Sequence, residues 1–230
     1  MSALHAVIFD FDGVIADSER LHLRAFQAVL GAAGVTLSDE AYYAQYLGYD
    51  DHGVFRQIFA DQARPLDAGA LDALVADKGR HYDTLAAAGE MLFPGAADFI
   101  RTMAATVPIA IASGAQTHEI EHVLDRAALR DRFVTVVGAD QTPASKPAPD
   151  PYLEAFRRLQ RHACGSLDPR RTVAIEDSRW GLESARAAGL RTVAITTSYD
   201  AAALAPFAEL VAPGLHALDC SALERLCESA

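Results

Sequence analysis

Six short apolar runs, distributed along the whole chain, constrain the fold most strongly. Each is rich in valine, isoleucine or alanine, with little alternation between polar and apolar residues. Runs of this kind are typical of strands in a parallel sheet that is covered on both faces. They lie at residues 6–9, 107–112, 133–137, 172–175, 192–195 and, more weakly, 210–212.

Segments with helical periodicity separate most of these runs. Apolar residues recur at helical spacing in segments 116–127, 151–161 and 179–188, and Gly189 is a helix-ending signal after the last one. Alternating strands and helices with short connections predict right-handed crossovers between parallel strands. We therefore expect an α/β fold with a doubly wound parallel sheet and a Rossmann-like core.

The stretch between the first and second runs has a different pattern. It contains no convincing strand, and its apolar residues recur at helical spacing in several successive segments. An all-α subdomain inserted after the first strand accounts for this pattern. We predict a helical insert at residues 18–89 and an α/β core at residues 1–17 and 90–230. The hinges are expected near Asp17 and within residues 88–94.

The charge balance excludes some classes of partner. There are 31 acidic and 20 basic residues, a formal net charge of −11 at pH 7. Nucleic acid and anionic membranes bind basic surfaces, so we expect neither as a partner. The three cysteines have no paired spacing, and no apolar run is long enough for a secretory signal or a membrane span. We expect a soluble, cytoplasmic protein that is a monomer or a weak homodimer.

Carboxylates directly follow two of the predicted strands. Asp10 and Asp12 end the first run, and Glu176 and Asp177 follow the fourth. The carboxyl ends of parallel strands meet at one edge of the sheet, where open α/β folds bind ligands. Acidic groups in such apolar surroundings need a cation or hydrogen bonds, and oxygen ligands suit Mg²⁺. Taken alone, the first pair could also be a turn with capping carboxylates.

Two further features suit a phosphate group. Ser113, Gly114 and Ala115 follow the second run at a predicted helix start, where backbone N–H groups bind anions. Lys146 lies in a proline-rich segment before the next predicted helix. Each has an ordinary alternative explanation, because Ser113 could be a simple N-cap and Lys146 a solvated charge.

Together these segments resemble the four ordered motifs of the haloacid dehalogenase superfamily. The matching residues are 9–14, Ser113, Lys146 with Pro147, and 176–178, and residues 181–189 strengthen the likeness. The resemblance covers nearly the whole chain, and four motifs in order are far more specific than one. The position of the insert resembles the helical-cap branch that includes phosphoglycolate phosphatase and β-phosphoglucomutase.

The resemblance implies an Mg²⁺-dependent phosphatase for a small phosphorylated metabolite of the sugar phosphate or phosphoglycolate type. Asp10 would be the nucleophile and form an aspartyl phosphate, and Asp12 would act as general acid and then as general base. The implied metal ligands are Asp10, the backbone carbonyl of Asp12, and Asp177. Glu176 would either bind the metal directly or orient a water molecule.

The resemblance also implies which residues hold the substrate. Ser113, Gly114 and Ala115 would bind phosphate oxygens. Ser113 and Lys146 would belong to the catalytic set as well, since Lys146 would stabilise the negative charge of Asp10 and the phosphoryl group.

The insert bears on the choice between a phosphatase and a β-phosphoglucomutase-like mutase. Val14 and His22 resemble the mutases, although related phosphatases carry a similar histidine. Mutases also have an arginine three residues after a glycine, where it grips a second phosphate, but here Gly48 is followed at that spacing by Asp51. An acid there would repel a bisphosphate, so we favour the phosphatase, with His22 and Asp51 near the leaving group. A non-catalytic phosphate-binding protein is a third alternative, which the intact acidic motifs disfavour.

Overall fold

The computed structural model describes residues 3–86, 91–164 and 167–228. Within them, six strands form one parallel sheet in the order β3-β2-β1-β4-β5-β6. The strands are β1 (Ala6–Phe9), β2 (Ile109–Ala112), β3 (Thr135–Val137), β4 (Thr172–Glu176), β5 (Arg191–Ile195) and β6 (Leu210–Ala212). The chain extends the sheet on one side of β1 and then on the other, so the predicted doubly wound fold is confirmed.

Alternate side chains of the central strand pack on opposite faces of the sheet. On β1, Val7 and Phe9 belong to one hydrophobic cluster, whereas Ala6 and Ile8 belong to another. All four side chains are fully buried, as expected of a strand with helices on both faces. The sheet is therefore a rigid base for the residues that follow its strands.

Ten helices are present in the part of the chain that the structure describes. They are α1 (Glu19–Ala32), α2 (Asp39–Ala41), α3 (Asp51–Asp61), α4 (Ala68–Ala86), α5 (Ala96–Ala104), α6 (Thr117–Arg126), α7 (Asp150–His162), α8 (Arg179–Ala187), α9 (Ala201–Leu204) and α10 (Cys220–Glu228). A turn of π-helix, Tyr42–Tyr46, continues α2. None of the described helices is both long and apolar enough to cross a membrane.

The helices α1 to α4 lie in the segment predicted to be the helical insert. They share a hydrophobic cluster that includes Phe26 and Phe55 and is distinct from the three clusters that contain residues of the sheet. The N–H of Asp17 donates to the carbonyl of Met91 at 2.6 Å, so the two connections to the core run side by side. The domain bounds stay a prediction, and residues 87–90, which include part of the second predicted hinge, lie outside the described residues.

Some predicted element ends differ from the observed ones. β2 begins at Ile109 rather than at residue 107, because the N–H of Val107 donates to the carbonyl of Met103 at the end of α5. β3 begins at Thr135, because Phe133 ends a short 3₁₀ turn. The sequence pattern did not predict α5, α9 or α10.

Candidate active site

Polar residues from three neighbouring strands converge at the carboxyl edge of the sheet. Asp10 follows β1, Ser113 follows β2 and Asp177 follows β4, and these strands are adjacent in the sheet. Lys146 reaches the same place from the loop before α7. All four residues are buried. They line one cavity, together with residues of the helical insert.

Asp10, Glu176 and Asp177 form a cluster with the composition of a metal site. One oxygen from each carboxylate lies within 4.8 Å of the other two. Burial and the charge of Glu176 raise the pKa of Asp10 to about 8, and the same causes raise the pKa of Asp177. Lys146 supplies a single positive charge against these three carboxylates. The donor set therefore fits an additional divalent cation with oxygen ligands.

Glu176 is already engaged by hydrogen-bond donors from the protein. Its Oε1 accepts from Lys146 Nζ at 2.6 Å and from the Tyr152 hydroxyl at 3.2 Å. Its Oε2 accepts from the N–H groups of Asp177 and Ser178 at 3.0 Å, and from Ser178 Oγ at 2.9 Å. Of the two roles that the sequence left open for Glu176, this geometry favours the indirect one.

Lys146 bridges the predicted nucleophile and Glu176. Its Nζ lies 2.8 Å from Oδ1 of Asp10 and 2.6 Å from Oε1 of Glu176. Burial alone would lower the pKa of Lys146. The charges of Asp10 and Glu176 raise this pKa by more than burial lowers it, so the net shift is upward. Lys146 is therefore a fixed ammonium beside Asp10 and can stabilise additional negative charge there.

The loop after β2 forms part of the cavity wall. Ser113, Gly114 and Ala115 all line the cavity. The N–H of Ala115 donates to Oγ of Ser113 at 3.1 Å, so it is engaged within the loop. Because Oγ acts as the acceptor in this bond, the hydroxyl hydrogen of Ser113 can be donated to a ligand.

Residues of the helical insert hold the side chain of Asp12. Its Oδ1 accepts from the Ser18 hydroxyl and from His22 Nε2, the latter at 3.2 Å. Burial raises the pKa of Asp12, but His22 and Ser18 lower it more. On its other side, His22 Nδ1 lies 2.7 Å from Lys78 Nζ. An ammonium only donates, so Nδ1 accepts and Nε2 carries the hydrogen that His22 donates to Asp12.

Sequence reasoning missed Lys78 and Glu119. Lys78 of α4 is fully buried, and its Nζ lies 2.9 Å from Asp51 and 3.8 Å from Glu119 of α6. One signal was available, because Lys78 stands at helical spacing on the apolar face of α4 that also carries Leu71 and Tyr82. A lysine in that position needs a buried anionic partner.

Asp51 does line the cavity, but its charge is not free. Its Oδ1 forms the 2.9 Å ion pair with Lys78. The expectation that an acid at this position repels a bisphosphate therefore did not include the cation behind it. Whether this end of the cavity repels a second phosphate depends on the combined charges of Asp51, Lys78 and Glu119 rather than on Asp51 alone.

The helical insert contacts the core around the mouth of the cavity. The hydroxyl of Ser145, next to Lys146, donates to Oδ2 of Asp50. Gly48, with φ of +99°, lies against Trp180, and a Cβ atom on it would be 3.0 Å from Cε3 of that ring. Tyr49 also packs near Trp180, with ring centroids 6.5 Å apart. Trp180 therefore contacts the helical insert beside the cavity.

Comparisons with known proteins agree with this geometry. Residues 4–189 match the family model of the haloacid dehalogenase-like hydrolases. The chain is 35% identical over 224 residues to the CbbY protein of Cupriavidus necator, covering 92% of this chain and 86% of the relative. It is 30% identical to the fructose-1-phosphate phosphatase YqaB of Escherichia coli, covering 81% of this chain and 94% of the relative.

A solved structure with a similar fold is CbbY from Rhodobacter sphaeroides, crystallised as a D10N mutant with xylulose-(1,5)-bisphosphate. It has a TM-score of 0.84 and 27% identity, with 96% of this chain and 99% of that chain covered. The β-phosphoglucomutase of Clostridium difficile has the same fold, with a TM-score of 0.86 at 18% identity over 98% of each chain. The family model and the relatives named phosphatases lead to one conclusion: the chain belongs to the haloacid dehalogenase-like hydrolases and is a phosphoric monoester hydrolase.

Proposed function

We propose that the protein is an Mg²⁺-dependent phosphatase that hydrolyses a small phosphorylated sugar through an aspartyl phosphate on Asp10. The observation that carries the proposal is the 2.8 Å contact between Lys146 Nζ and Oδ1 of Asp10, beside Asp177. This contact provides a nucleophile, a fixed positive charge and a metal-binding carboxylate at one point. The relatives named fructose-1-phosphate phosphatase and hexitol phosphatase support a sugar phosphate as the substrate.

The metal would be held by Asp10, Asp177 and the backbone carbonyl of Asp12, with Glu176 behind them. The clustered carboxylates and their raised pKa values support this assignment. When bound, Mg²⁺ supplies positive charge that offsets the repulsion between the Asp10 carboxylate and the phosphate.

In the first step, a carboxylate oxygen of Asp10 forms a bond to phosphorus, and the bond from phosphorus to the ester oxygen breaks. The departing oxygen receives a proton from Asp12; because His22 and Ser18 lower the pKa of Asp12 and favour its carboxylate in the free protein, this proton has to be taken up as the substrate binds. The hydrogen bonds from His22 and Ser18 hold the Asp12 side chain toward the cavity for this transfer. The product of this step is a free alcohol and a phosphorylated Asp10.

In the second step, Asp12 takes a proton from water as the water oxygen attacks phosphorus. The bond from phosphorus to Asp10 then breaks, which releases inorganic phosphate and restores the carboxylate. Lys146 and the Ser113 hydroxyl stabilise the phosphoryl oxygens in both steps, and the Gly114 backbone N–H does the same.

We also propose that residues 18–89 act as a lid over the core. The insert contributes Glu19, His22, Tyr42 and Asp51 to the cavity wall. The residues that would bind the phosphate, Ser113, Gly114 and Lys146, belong to the core. A lid that is closed during the reaction keeps bulk water away from the aspartyl phosphate. Its residues contact the leaving group and thereby select it.

The alternative is a mutase that returns the phosphoryl group to a sugar. Among the described residues that line the cavity, Lys146 is the only lysine or arginine, and it is engaged at the phosphate end. A mutase also has to bind a second phosphate at the far end of the cavity. This arrangement favours transfer to water.

The experiment is a screen of sugar phosphates with Mg²⁺, in which inorganic phosphate and isomerised sugar are both measured. We expect release of phosphate without a bisphosphate primer, and its loss in Asp10→Asn. Primer-dependent isomerisation would identify a mutase instead. Binding of the esters without any turnover would indicate the non-catalytic alternative.

A further inference from the structure

We propose that Ser198 is a positioning residue that sets the selectivity of the metal site for Mg²⁺ over Ca²⁺. It acts through Asp177, because its hydroxyl group occupies one carboxylate oxygen of that residue and leaves the other oxygen for the cation. This inference rests on the metal-dependent phosphatase function proposed above, and it identifies what makes the site selective for a small cation.

The argument begins with the position of Ser198. This residue lies in the loop after β5, the neighbour of β4 in the sheet, and its hydroxyl donates to Oδ2 of Asp177. The preceding hydroxyl, that of Thr197, donates to the carbonyl oxygen of Gly13. The loop is therefore tied both to the turn after Asp12 and to Asp177, which fixes the position of the Ser198 hydroxyl.

The glycine backbone closes this contact from the other side. A Cβ atom on Gly13 would lie 3.1 Å from Oγ of Ser198, and still closer to Oδ2 of Asp177. A carboxylate that is held between a hydroxyl donor and the backbone cannot rotate freely. Oδ1 of Asp177 is then the oxygen that is presented to a cation.

The other carboxylates of the metal cluster are also partly occupied. Both oxygens of Glu176 accept hydrogen bonds from the protein. Oδ1 of Asp10 is paired with Lys146 Nζ at 2.8 Å. Within the part of the chain that the structure describes, one oxygen of Asp10 and one of Asp177 therefore remain for a cation.

This donor set suits Mg²⁺ better than Ca²⁺. Mg²⁺ is bound in proteins by one or two carboxylates and keeps several water molecules, whereas Ca²⁺ takes about six to eight oxygen ligands and can take both oxygens of a carboxylate. Carboxylates that each offer one oxygen withhold the additional ligands that Ca²⁺ uses. Ser198 is the residue that withholds the second oxygen of Asp177.

The test measures binding directly, by calorimetric titration of the metal-free protein with Mg²⁺ and, separately, with Ca²⁺. The parent is compared with Ser198→Ala, with Ser198→Thr, which retains a hydroxyl, and with the matched control Thr192→Val. Thr192 lies on β5, the strand that leads to Ser198, and is buried. Its hydroxyl donates to the carbonyl oxygen of Phe207 at 3.4 Å, so the control removes a buried hydroxyl that does not hold Asp177.

We expect the parent to bind Mg²⁺ more tightly than Ca²⁺. In Ser198→Ala, Oδ2 of Asp177 loses its donor and becomes available to the cation. The ratio of the Ca²⁺ to the Mg²⁺ dissociation constant should therefore fall about tenfold. Ser198→Thr and Thr192→Val should retain the parent ratio. If Ser198→Ala does not fold, Ser198→Cys must shift the ratio in the same direction, because a thiol is a weak donor.

A merely structural role of Ser198 would weaken the binding of both ions alike. An unchanged ratio in Ser198→Ala, or a parent that prefers Ca²⁺, therefore overturns the inference and leaves the proposed phosphatase function intact. If the parent binds neither ion, the metal dependence in the proposed function is wrong, and this inference falls with it.

Discussion

A Cβ atom placed on Gly13 would lie 1.9 Å from Oδ2 of Asp177. Gly13 has φ of +75°, a backbone conformation that favours glycine. The absence of a side chain lets the turn after Asp12 pack directly against the loop after β4. Ser198 donates to the same Oδ2 from the other side, so Asp177 is held between a hydroxyl and the glycine backbone.

The first prediction concerns this contact. Gly13→Ala displaces the Asp177 carboxylate, so we expect Mg²⁺ affinity to fall about 10- to 100-fold, with a parallel loss of activity at limiting Mg²⁺. Mg²⁺ titrations of turnover measure the effect. Gly31→Ala is the control, because a Cβ there meets nothing within 4 Å and alanine favours the helix. Equal Mg²⁺ affinity in the two variants would show that Asp177 is not part of the metal site.

The second prediction concerns the buried carboxylate of Glu176. Glu176→Gln removes the negative charge that pairs with Lys146. It also places an NH₂ group where one carboxylate oxygen had accepted hydrogen bonds, so that donors face a donor. We expect the free energy of unfolding to fall by about 3 kcal/mol. We also expect kcat to fall, because Lys146 loses the ion pair with Glu176 that fixes its position. Denaturant unfolding measures the stability change.

Glu183→Gln is the matched control for Glu176→Gln. Glu183 forms a more exposed pair with Arg179 on the same helix, where we expect a change below about 1 kcal/mol. Similar losses of stability in the two variants would mean that the Glu176 network is not a distinct source of stability.

The sheet and the phosphate end of the site could be predicted from the sequence. Uninterrupted apolar runs mark buried parallel strands, and the residue after each strand must lie at the shared carboxyl edge. Asp10, Ser113 and Asp177 follow directly from this rule. Lys146 does not follow a strand, and it was included only because its motif resembles the superfamily.

The leaving-group end could not be predicted in the same way. Lys78 and Glu119 are 41 residues apart on helices of different layers, and sequence spacing does not report which helix faces meet. Asp51 was expected near the leaving group, but its ion pair with Lys78 could not be predicted from the sequence. Contacts between side chains of the helical insert and side chains of the core depend on how the two pack against each other. Local sequence patterns do not report this packing.

The third prediction concerns metal binding and pH. Burial and Glu176 raise the pKa of Asp10 to about 8, so the metal-free protein binds a proton there at lower pH. A divalent cation has to displace this proton. Affinity for Mg²⁺ should therefore fall as the pH is lowered below about 8, and Mg²⁺ binding should release protons.

Calorimetric titration in buffers of different ionisation enthalpy measures both effects. Affinity that is constant with pH, or activity that survives EDTA, would contradict the metal site.

The fourth prediction concerns the tautomer of His22. Because Lys78 donates to Nδ1, the hydrogen of the neutral ring belongs on Nε2, from which it is donated to Asp12. Nitrogen chemical shifts of His22 should report the Nε2–H form in the parent, and this preference should weaken in Lys78→Met. A ring that carries its hydrogen on Nδ1 in the parent would contradict the network that holds Asp12.

The central claim is that Asp10 becomes phosphorylated during turnover. The most direct measurement is rapid quenching of the enzyme with a radiolabelled sugar phosphate that it hydrolyses, followed by peptide mapping. We expect label on the peptide that contains Asp10, its removal by hydroxylamine, and neither label nor phosphate release in Asp10→Asn. Phosphate release without label on Asp10, or at the parent rate in Asp10→Asn, would contradict the account.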